Sequence, residues 1–511
     1  MSSMFGLVPL PGSITLRQGS CVLSGRPQVA ADVELLTEAT VLETWLISAL
    51  GADDTPVEDV EPSTTVRLAI DVKLKHPESY VLDIGRDGVL LRAADPAGIV
   101  RGAATLYQLA LSEGRTLPWL VIEDEPRFCW RGFLLDTARN FFRVEFIERL
   151  LDLAALHKIN MFHWHLSDDQ AWRIDVPGMP ELARYGSRRA DTRFNAVRWR
   201  EGSYSPEDLR RVGKYAAARH ITVVPEIDVP GHATALLSSH PELWCRSDHD
   251  ARRFEPVDRY GVHDNVLCAG RPETFELLDR VFAFLEGAFD TPFLHAGGDE
   301  VPKIQWMGCD RCRAIMREHG LRDDAGAFDP ERLHAWFMDR VANMLAVRGR
   351  RMVGWDDVVD GGCHTDTVVM SWRGAGNAIR IAELGYDVVM CPERKACYLD
   401  HQHLDVPEEP GQLGVCTVRD SYSFDPAPQG LPPEISKHIL GGQANMWTEL
   451  TYFGKQVEYM MFPRLCALAE GFWTSPELKD FHGFTERMEI HGKRLDKLGV
   501  NRYRGPMEED H

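Results

Sequence analysis

Two adjacent carboxylates, Asp299 and Glu300, stand in the segment His295-Ala-Gly-Gly-Asp-Glu-Val-Pro302. Phe293, Leu294 and Ala296 read as the end of a buried strand, Gly297 and Gly298 permit a sharp backbone turn, and Pro302 blocks a return to the strand. Neighbouring acids repel each other, and ionising both beside an apolar pocket is costly. One of the two is therefore expected to have a raised pKa, leaving an acid next to a base. An isolated Asp-Glu pair is more often a solvated loop or the acidic first turn of a helix, so the surrounding chain has to decide.

Such a pair needs a scaffold to aim it. From Trp130 onward, short apolar runs alternate with longer amphipathic stretches. The runs read as strands at Gly132–Leu135, Met161–His165, Thr222–Ile227, Pro292–Ala296, Met352–Trp355, Thr367–Trp372, Asp387–Met390 and Ile439–Gln443. Between and after them the pattern predicts helices over Val144–His157, Pro206–Arg219, Thr274–Glu286, Pro330–Ala346, Ala378–Leu384 and Gln456–Gly471. Eight strands alternating with helices predict an α/β fold of the (β/α)8 TIM-barrel class, with a doubly wound sheet as the runner-up. Residues 1–125 differ in pattern. Thr65–Ile70 alternates like a strand, Tyr80–Ile84 and Val89–Arg92 flank a hairpin turn, and Ala97–Leu111 has helical spacing. This predicts a smaller α+β domain, with Trp119–Pro126 as the connection out of it. Residues 126–511 form the barrel and include a closing C-terminal helix between Pro476 and Gly499.

In a barrel of this class, chemistry sits where the strands end. The polar residues after the proposed strands are Asp136 and Arg139; Asp168 and Asp169; Glu226, Asp228 and His232; Asp299 and Glu300; Trp355 and Asp356; Trp372 and Arg373; Tyr398 and Asp400; Trp447 and Glu449. Carboxylates and an arginine suit sugar hydroxyls, and aromatic faces cover the apolar side of a pyranose. His163 and His165 share one face of a strand and suggest a metal pair or a position in the barrel core. Cys309-Asp-Arg-Cys312 is half of a zinc motif, and no second Cys or His pair follows at a fitting distance.

The whole composition bounds the partners. Of 511 residues, 44% are hydrophobic and 26% charged, with a net charge of -20 and a pI near 5.4. That acidity argues against nucleic acid and anionic membrane and suits a neutral ligand. The N-terminus lacks a basic segment followed by an apolar one, so no secretory signal is read. The 11 cysteines, an odd number scattered through the chain, suggest a reducing, cytoplasmic setting.

Six motifs, in order, resemble those of glycoside hydrolase family 20, the β-N-acetylhexosaminidases. They are Arg131-Gly-Phe-Leu-Leu-Asp-Thr-Ala-Arg139, His163-Trp-His-Leu-Ser-Asp-Asp-Gln170, Pro225-Glu-Ile-Asp-Val-Pro-Gly-His232, His295-Ala-Gly-Gly-Asp-Glu300, Tyr398-Leu-Asp400 and Gln443-Ala-Asn-Met-Trp-Thr-Glu449. The resemblance implies a retaining exo-β-N-acetylhexosaminidase acting on β-linked N-acetylhexosaminide oligosaccharides or glycoconjugates, with no cofactor and no metal. By that resemblance Glu300 is the general acid/base. Asp299 orients and polarises the substrate's 2-acetamido group, and Tyr398 donates a hydrogen bond to its oxygen. Asp168 and His232 form a relay towards Glu300. Trp355, Trp372 and Trp447 wall the acetamido methyl and the ring, and Arg139, Asp400 and Glu449 bind the terminal sugar's hydroxyls. The chain departs from some relatives in having no Trp between Asp400 and Trp447, where Gly411-Gln-Leu-Gly414 stands instead. Two other readings stay open at this point: a carbohydrate-binding protein with the same pocket, and a metal-dependent barrel hydrolase using His163 and His165.

Overall fold

The computed structural model describes residues 5–23, 26–51, 66–192, 198–245, 254–364, 366–402, 409–411 and 414–508. Eight parallel strands close into a barrel: Trp130–Asp136, Met161–His165, Thr222–Glu226, Phe293–His295, Arg351–Trp355, Val368–Ser371, Asp387–Met390 and Ile439–Met446. Each pairs with the next, and the eighth pairs with the first, Gln443 opposite Gly132 and Met446 opposite Leu135. Strands covered on both faces have no polar side to alternate with, which is why they show in the sequence as continuous apolar runs. All seven residues of Trp130–Asp136 are buried.

The surrounding helices follow their own stripes. Val144–Leu156 buries Val144, Ile147, Leu151 and Ala154 along one face. Pro206–Ala217 begins in a capping box, with Ser205 and Asp208 each satisfying the other's backbone N–H. The helix expected over Gln456–Gly471 is two helices, Gly454–Met461 and Arg464–Trp473. Pro463 lies between them; it brings no N–H and a fixed φ, so one helix ends and another starts there.

The N-terminal domain is a six-stranded sheet in the order Ser13–Val22, Thr116–Asp124, Tyr80–Gly85, Gly88–Ala93, Val66–Ile70, Val29–Ala30. Helices Leu36–Leu50 and Pro96–Glu113 pack on it and on each other. Thr65, the first residue of one expected strand, lies outside the described residues. The stretch expected to be a connection, Trp119–Pro126, lies mostly within the strand Thr116–Asp124, which hydrogen-bonds on both sides. Its core face carries Leu120 and Ile122, neither exposed, and the buried Asp124 beyond them; an acid in that place hides the alternation in the sequence.

The domain meets the barrel's N-terminal end through buried charges. Glu78 holds Arg101 and Arg131 and accepts from Asn160 Nδ2 at 3.2 Å. Asp124 accepts from Lys158 Nζ at 2.6 Å, Tyr80 Oη at 2.7 Å and Trp473 Nε1 at 2.9 Å.

Candidate active site

The site at the opposite end of the barrel is built outward from Glu226, the last residue of the third strand. Its carboxylate is fully buried. It accepts His163 Nε2 at 2.9 Å and Trp355 Nε1 at 2.9 Å, lies 3.0 Å from His295 Nδ1, and is also bonded by His165 Nδ1. These partners come from the second, fourth and fifth strands, so one carboxylate ties together a layer of the barrel interior. Burial alone would raise its pKa, but the three imidazoles hold it well below the usual carboxylate range. Both His163 and His165 are thus committed to Glu226. This arrangement is a core polar network, the alternative to a metal pair that their spacing left open.

His165 passes the network upward. Its Nε2 lies 3.0 Å from Asp168 Oδ2. Burial disfavours charge on this ring, but Glu226 and Asp168 outweigh it and raise its pKa well above the ordinary value. Asp168 also takes Arg139 Nη2 at 2.7 Å and His232 Nδ1 at 3.2 Å. The other nitrogen of His232, Nε2, then faces the paired acids, 3.4 Å from Glu300 Oε2 and 3.8 Å from Asp299 Oδ2. Burial again opposes protonation of His232, yet Asp168 lifts its pKa well above normal. The expected Asp168–His232–Glu300 relay is therefore assembled in space.

The turn carrying the acids allows no side chain at its glycines. Gly297 has φ +65°, and a Cβ there would sit 1.7 Å from Asp228 Oδ1. At Gly298, φ is +95° and a Cβ would strike Val358 at 2.4 Å. Glu300 itself adopts φ +47° and His232 φ +44°, backbone that L-residues rarely occupy and that surrounding structure has to impose. Glu300 N donates to Asp357 Oδ1 at 3.4 Å, and Asp357 Oδ2 accepts Trp372 Nε1 at 3.0 Å.

The two acids differ as expected, but the raised pKa falls on Asp299. Its side chain is 16% exposed and its Oδ1 has no hydrogen-bond partner. Burial, together with the charges of Asp357, Glu226 and Glu300, pushes it up to about 7 against the pull of His232. Glu300 is 38% exposed, and its contact with His232 lowers its pKa despite partial burial. Of the two, Asp299 holds a proton to the higher pH.

The far wall is a cleft lined by Tyr398, Asp400, Gly411, Asn445, Trp447 and Glu449, among others. Gln412 and Leu413 of the divergent loop lie outside the described residues. Arg139 closes the ring, its guanidinium 5.1 Å from the Trp447 ring centre and 3.9 Å from Glu449 Oε1. Burial raises the phenol of Tyr398 well above its ordinary pKa, and its ring centre lies 6.2 Å from that of Trp447. The Trp447 N–H and Arg139 Nη1 make no hydrogen bond. Trp355 departs from expectation: it is only 1% exposed and lies beneath the mouth, its N–H on Glu226 and its ring 5.8 Å from that of Trp447. It backs the wall where Trp372 and Trp447, both partly exposed, can face a ligand.

Apart from Trp355, which lies beneath it, the residues expected at the site are gathered at one mouth. Sequence reasoning placed Glu226 at a strand end but gave it no role, and it passed over Asp357, which gave no signal beyond being the second acid after Trp355.

The profile of "Glycosyl hydrolase family 20, catalytic domain" matches residues 128–476, and that of "Glycosyl hydrolase family 20, domain 2" matches residues 4–125. The chain belongs to glycosyl hydrolase family 20. This family 20 hydrolase is 35% identical to a β-hexosaminidase of Porphyromonas gingivalis over 98% of its own length and 65% of that protein's. It is 34% identical to a β-hexosaminidase of Vibrio furnissii, covering 92% of this chain and 76% of the other. Among solved structures it resembles the exo-β-N-acetylglucosaminidase of Vibrio harveyi in complex with N-acetylglucosamine. There the TM-score is 0.85 at 30% identity, over 98% of this chain and 78% of that one. The N-acetyl-β-hexosaminidase of Streptomyces plicatus aligns with a TM-score of 0.82 at 29% identity, over 98% and 97% of the two chains.

Proposed function

We propose that this hydrolase is a retaining, exo-acting β-N-acetylhexosaminidase that removes terminal non-reducing β-linked N-acetylglucosamine or N-acetylgalactosamine by substrate-assisted catalysis. The observation that carries the reading is Asp299: a buried carboxylate with an unpartnered oxygen, beside an acid linked to a charged histidine. Oδ1 of Asp299 suits an amide N–H, and a substrate bearing a 2-acetamido group brings one. Tyr398, across the cleft, suits the acetamido oxygen. The printed names of the relatives, with N-acetylglucosamine bound in the Vibrio harveyi structure, support the same substrate class.

In this reading the acetamido oxygen attacks the anomeric carbon and forms an oxazolinium ion, while Glu300 protonates the departing oxygen; Glu300 then deprotonates the water that opens the ring. Two inversions at one carbon give retention. Anionic Asp299 stabilises the cation and fixes the amide. The free-state protonation fits as a resting state. On binding, the acetamido N–H and the developing cation favour the Asp299 anion, and the sugar removes water from Glu300 and so raises its pKa. His232 Nε2, within 3.4 Å of one acid and 3.8 Å of the other, is placed to carry the proton between them. Arg139, Asp400 and Glu449 close the pocket behind the terminal sugar, which makes the action exo. A cytoplasmic, reducing setting belongs to the same reading, supported by the odd number of cysteines scattered through the chain.

The test is a panel of aryl glycosides with the product anomer followed by NMR. N-Acetylhexosaminides should be hydrolysed with retention, and a thiazoline mimic of the oxazolinium should inhibit strongly. Comparable turnover of plain β-glucosides would sink the substrate-assisted step, and binding without release would make the protein a lectin.

A further inference from the structure

Four cysteines from two different barrel loops converge beside the site. Cys245 and Cys268 lie in the loop after the third strand, the loop that carries His232; Cys309 and Cys312 lie in the loop after the fourth, which carries Asp299 and Glu300. All four are buried, at 5%, 0%, 4% and 0% exposure. Their sulfurs lie within 4.8 Å of one another. Cys245 Sγ is 3.5 Å from Cys312 Sγ, Cys268 Sγ is 3.7 Å from Cys312 Sγ, and Cys268 Sγ is 3.8 Å from Cys309 Sγ.

These spacings have a chemical meaning. Zinc–thiolate bonds of about 2.3 Å put the corners of a regular tetrahedron about 3.8 Å apart. A disulfide needs sulfurs about 2.05 Å apart. The Cys309-x-x-Cys312 pair sits at the start of the helix Asp310–Glu318, with Cys309 as its N-cap. The helix N-terminus favours thiolate over thiol there. The missing second pair, which the sequence did not offer at motif spacing, comes from the neighbouring loop. We propose that Cys245, Cys268, Cys309 and Cys312 form a structural tetrathiolate site for one zinc ion, clasping the two loops that carry the catalytic groups. A closed set of four sulfurs leaves no position for water or substrate, so the ion's role is to fix structure.

The loops already touch around the site. Trp306 Nε1 donates to Leu267 O at 2.9 Å and Trp244 Nε1 to Gln305 Oε1 at 2.7 Å, while Cys268 N is held within its own loop by Leu243 O at 2.8 Å. A Cβ at Gly270 would lie 2.4 Å from the Arg311 carbonyl carbon. Leu267 N in turn donates to Pro230 O at 2.9 Å, two residues from His232. Locking these segments holds the His232–Glu300 contact in register.

The experiment uses the full chain, expressed with zinc in the medium and purified without a metal-affinity step. Elemental analysis should find about one zinc per chain. Titration with a mercurial should release it as four thiols are consumed, and cobalt exchanged into the site should give the absorption of a tetrahedral thiolate complex. A Cys309→Ser/Cys312→Ser double variant should lose the metal, whereas Cys129→Ser, at a distant exposed cysteine, should keep it. Loss of zinc should lower the thermal midpoint by at least ~5 °C and reduce kcat/KM. Wild-type protein with four titratable thiols and no metal, with these cysteines joined as disulfides, or with iron in place of zinc would overturn the proposal. Wild-type stoichiometry decides it even if the double variant fails to fold.

Discussion

The two ends of the barrel both bury charge, and they treat it differently. At the N-terminal end, Glu78, Arg101, Arg131, Asp124 and Lys158 bond one another, Asn160, Tyr80, Trp473 and backbone carbonyls, and no polar side-chain atom of these five is left without a partner. Burial opposes the charge on Glu78, but Arg131 and Arg101 draw its pKa down to about 2. At the C-terminal end, Asp299 Oδ1 and Arg139 Nη1 are buried without a hydrogen bond. A buried polar atom left unmatched is destabilising, so its persistence needs a reason, and a ligand that completes it supplies one.

Substitutions should separate the two ends. The largest effect expected is on Glu300→Gln with a sugar leaving group, where loss of general-acid help lowers kcat/KM by roughly a hundredfold to ten-thousandfold. An aryl leaving group, which departs unaided, should suffer much less, and the thermal midpoint should hardly move. If both substrates fall equally, Glu300 is not the proton donor. At the other end, Lys158→Met strands Asp124 and should cost about 3–5 kcal/mol of stability, seen in denaturant melts. The folded fraction should keep its kcat/KM; a loss of turnover there would break the division between the ends. Asp299→Asn should lose ~3–4 kcal/mol of transition-state stabilisation on aryl and sugar leaving groups alike.

The pH response sharpens the contrast. Activity that needs anionic Asp299 should decline as pH falls through about 7, and this limb of the kcat/KM profile should vanish in Asp299→Asn. Stability runs the other way at that residue. Its folded pKa is raised, so its contribution is present below its unfolded value and is lost as pH rises towards about 7. Glu78 is the opposite case: depressed in the fold, it stabilises above its unfolded value and loses that contribution as pH falls from there towards about 2. Melts across pH, compared with Glu78→Gln, would show whether the acid limb of stability belongs to it. The smallest effect expected is at Trp372→Phe, which keeps a ring but drops the N–H on Asp357; about 1 kcal/mol, a several-fold change in kcat/KM, should result.

The barrel was legible because strands buried on both faces cannot hide. Val388 and Val389 need no alternation to mark their strand. The N-terminal sheet was harder. Ser13–Val22 is an edge strand exposed along most of its length, so its sequence, SITLRQGSCV, has no core face to betray it. At the site, residues near one another in the chain were found readily, since Asp299 and Glu300 announce themselves. What sequence order scrambles was missed: the three histidines on Glu226 come from two other strands, and the cysteine cluster joins residues of two loops. Which of the paired acids carries the proton was also beyond reach, because burial and the position of His232 set it.

One contact set links the molecule's shape to the order in which it is synthesised. Gly6 O and Phe5 O are held by Arg494, Leu10 N by Glu470, and Leu10 O by Thr474. Val8 is meanwhile clamped on both its N–H and carbonyl by Gln108. Residues 5–10 therefore wait for backbone partners that follow them by 460 to 489 residues of chain. Until the closing helix Phe481–Lys497 is made, the carbonyls of Phe5 and Gly6 lack the arginine that holds them, and the fold cannot close on that side.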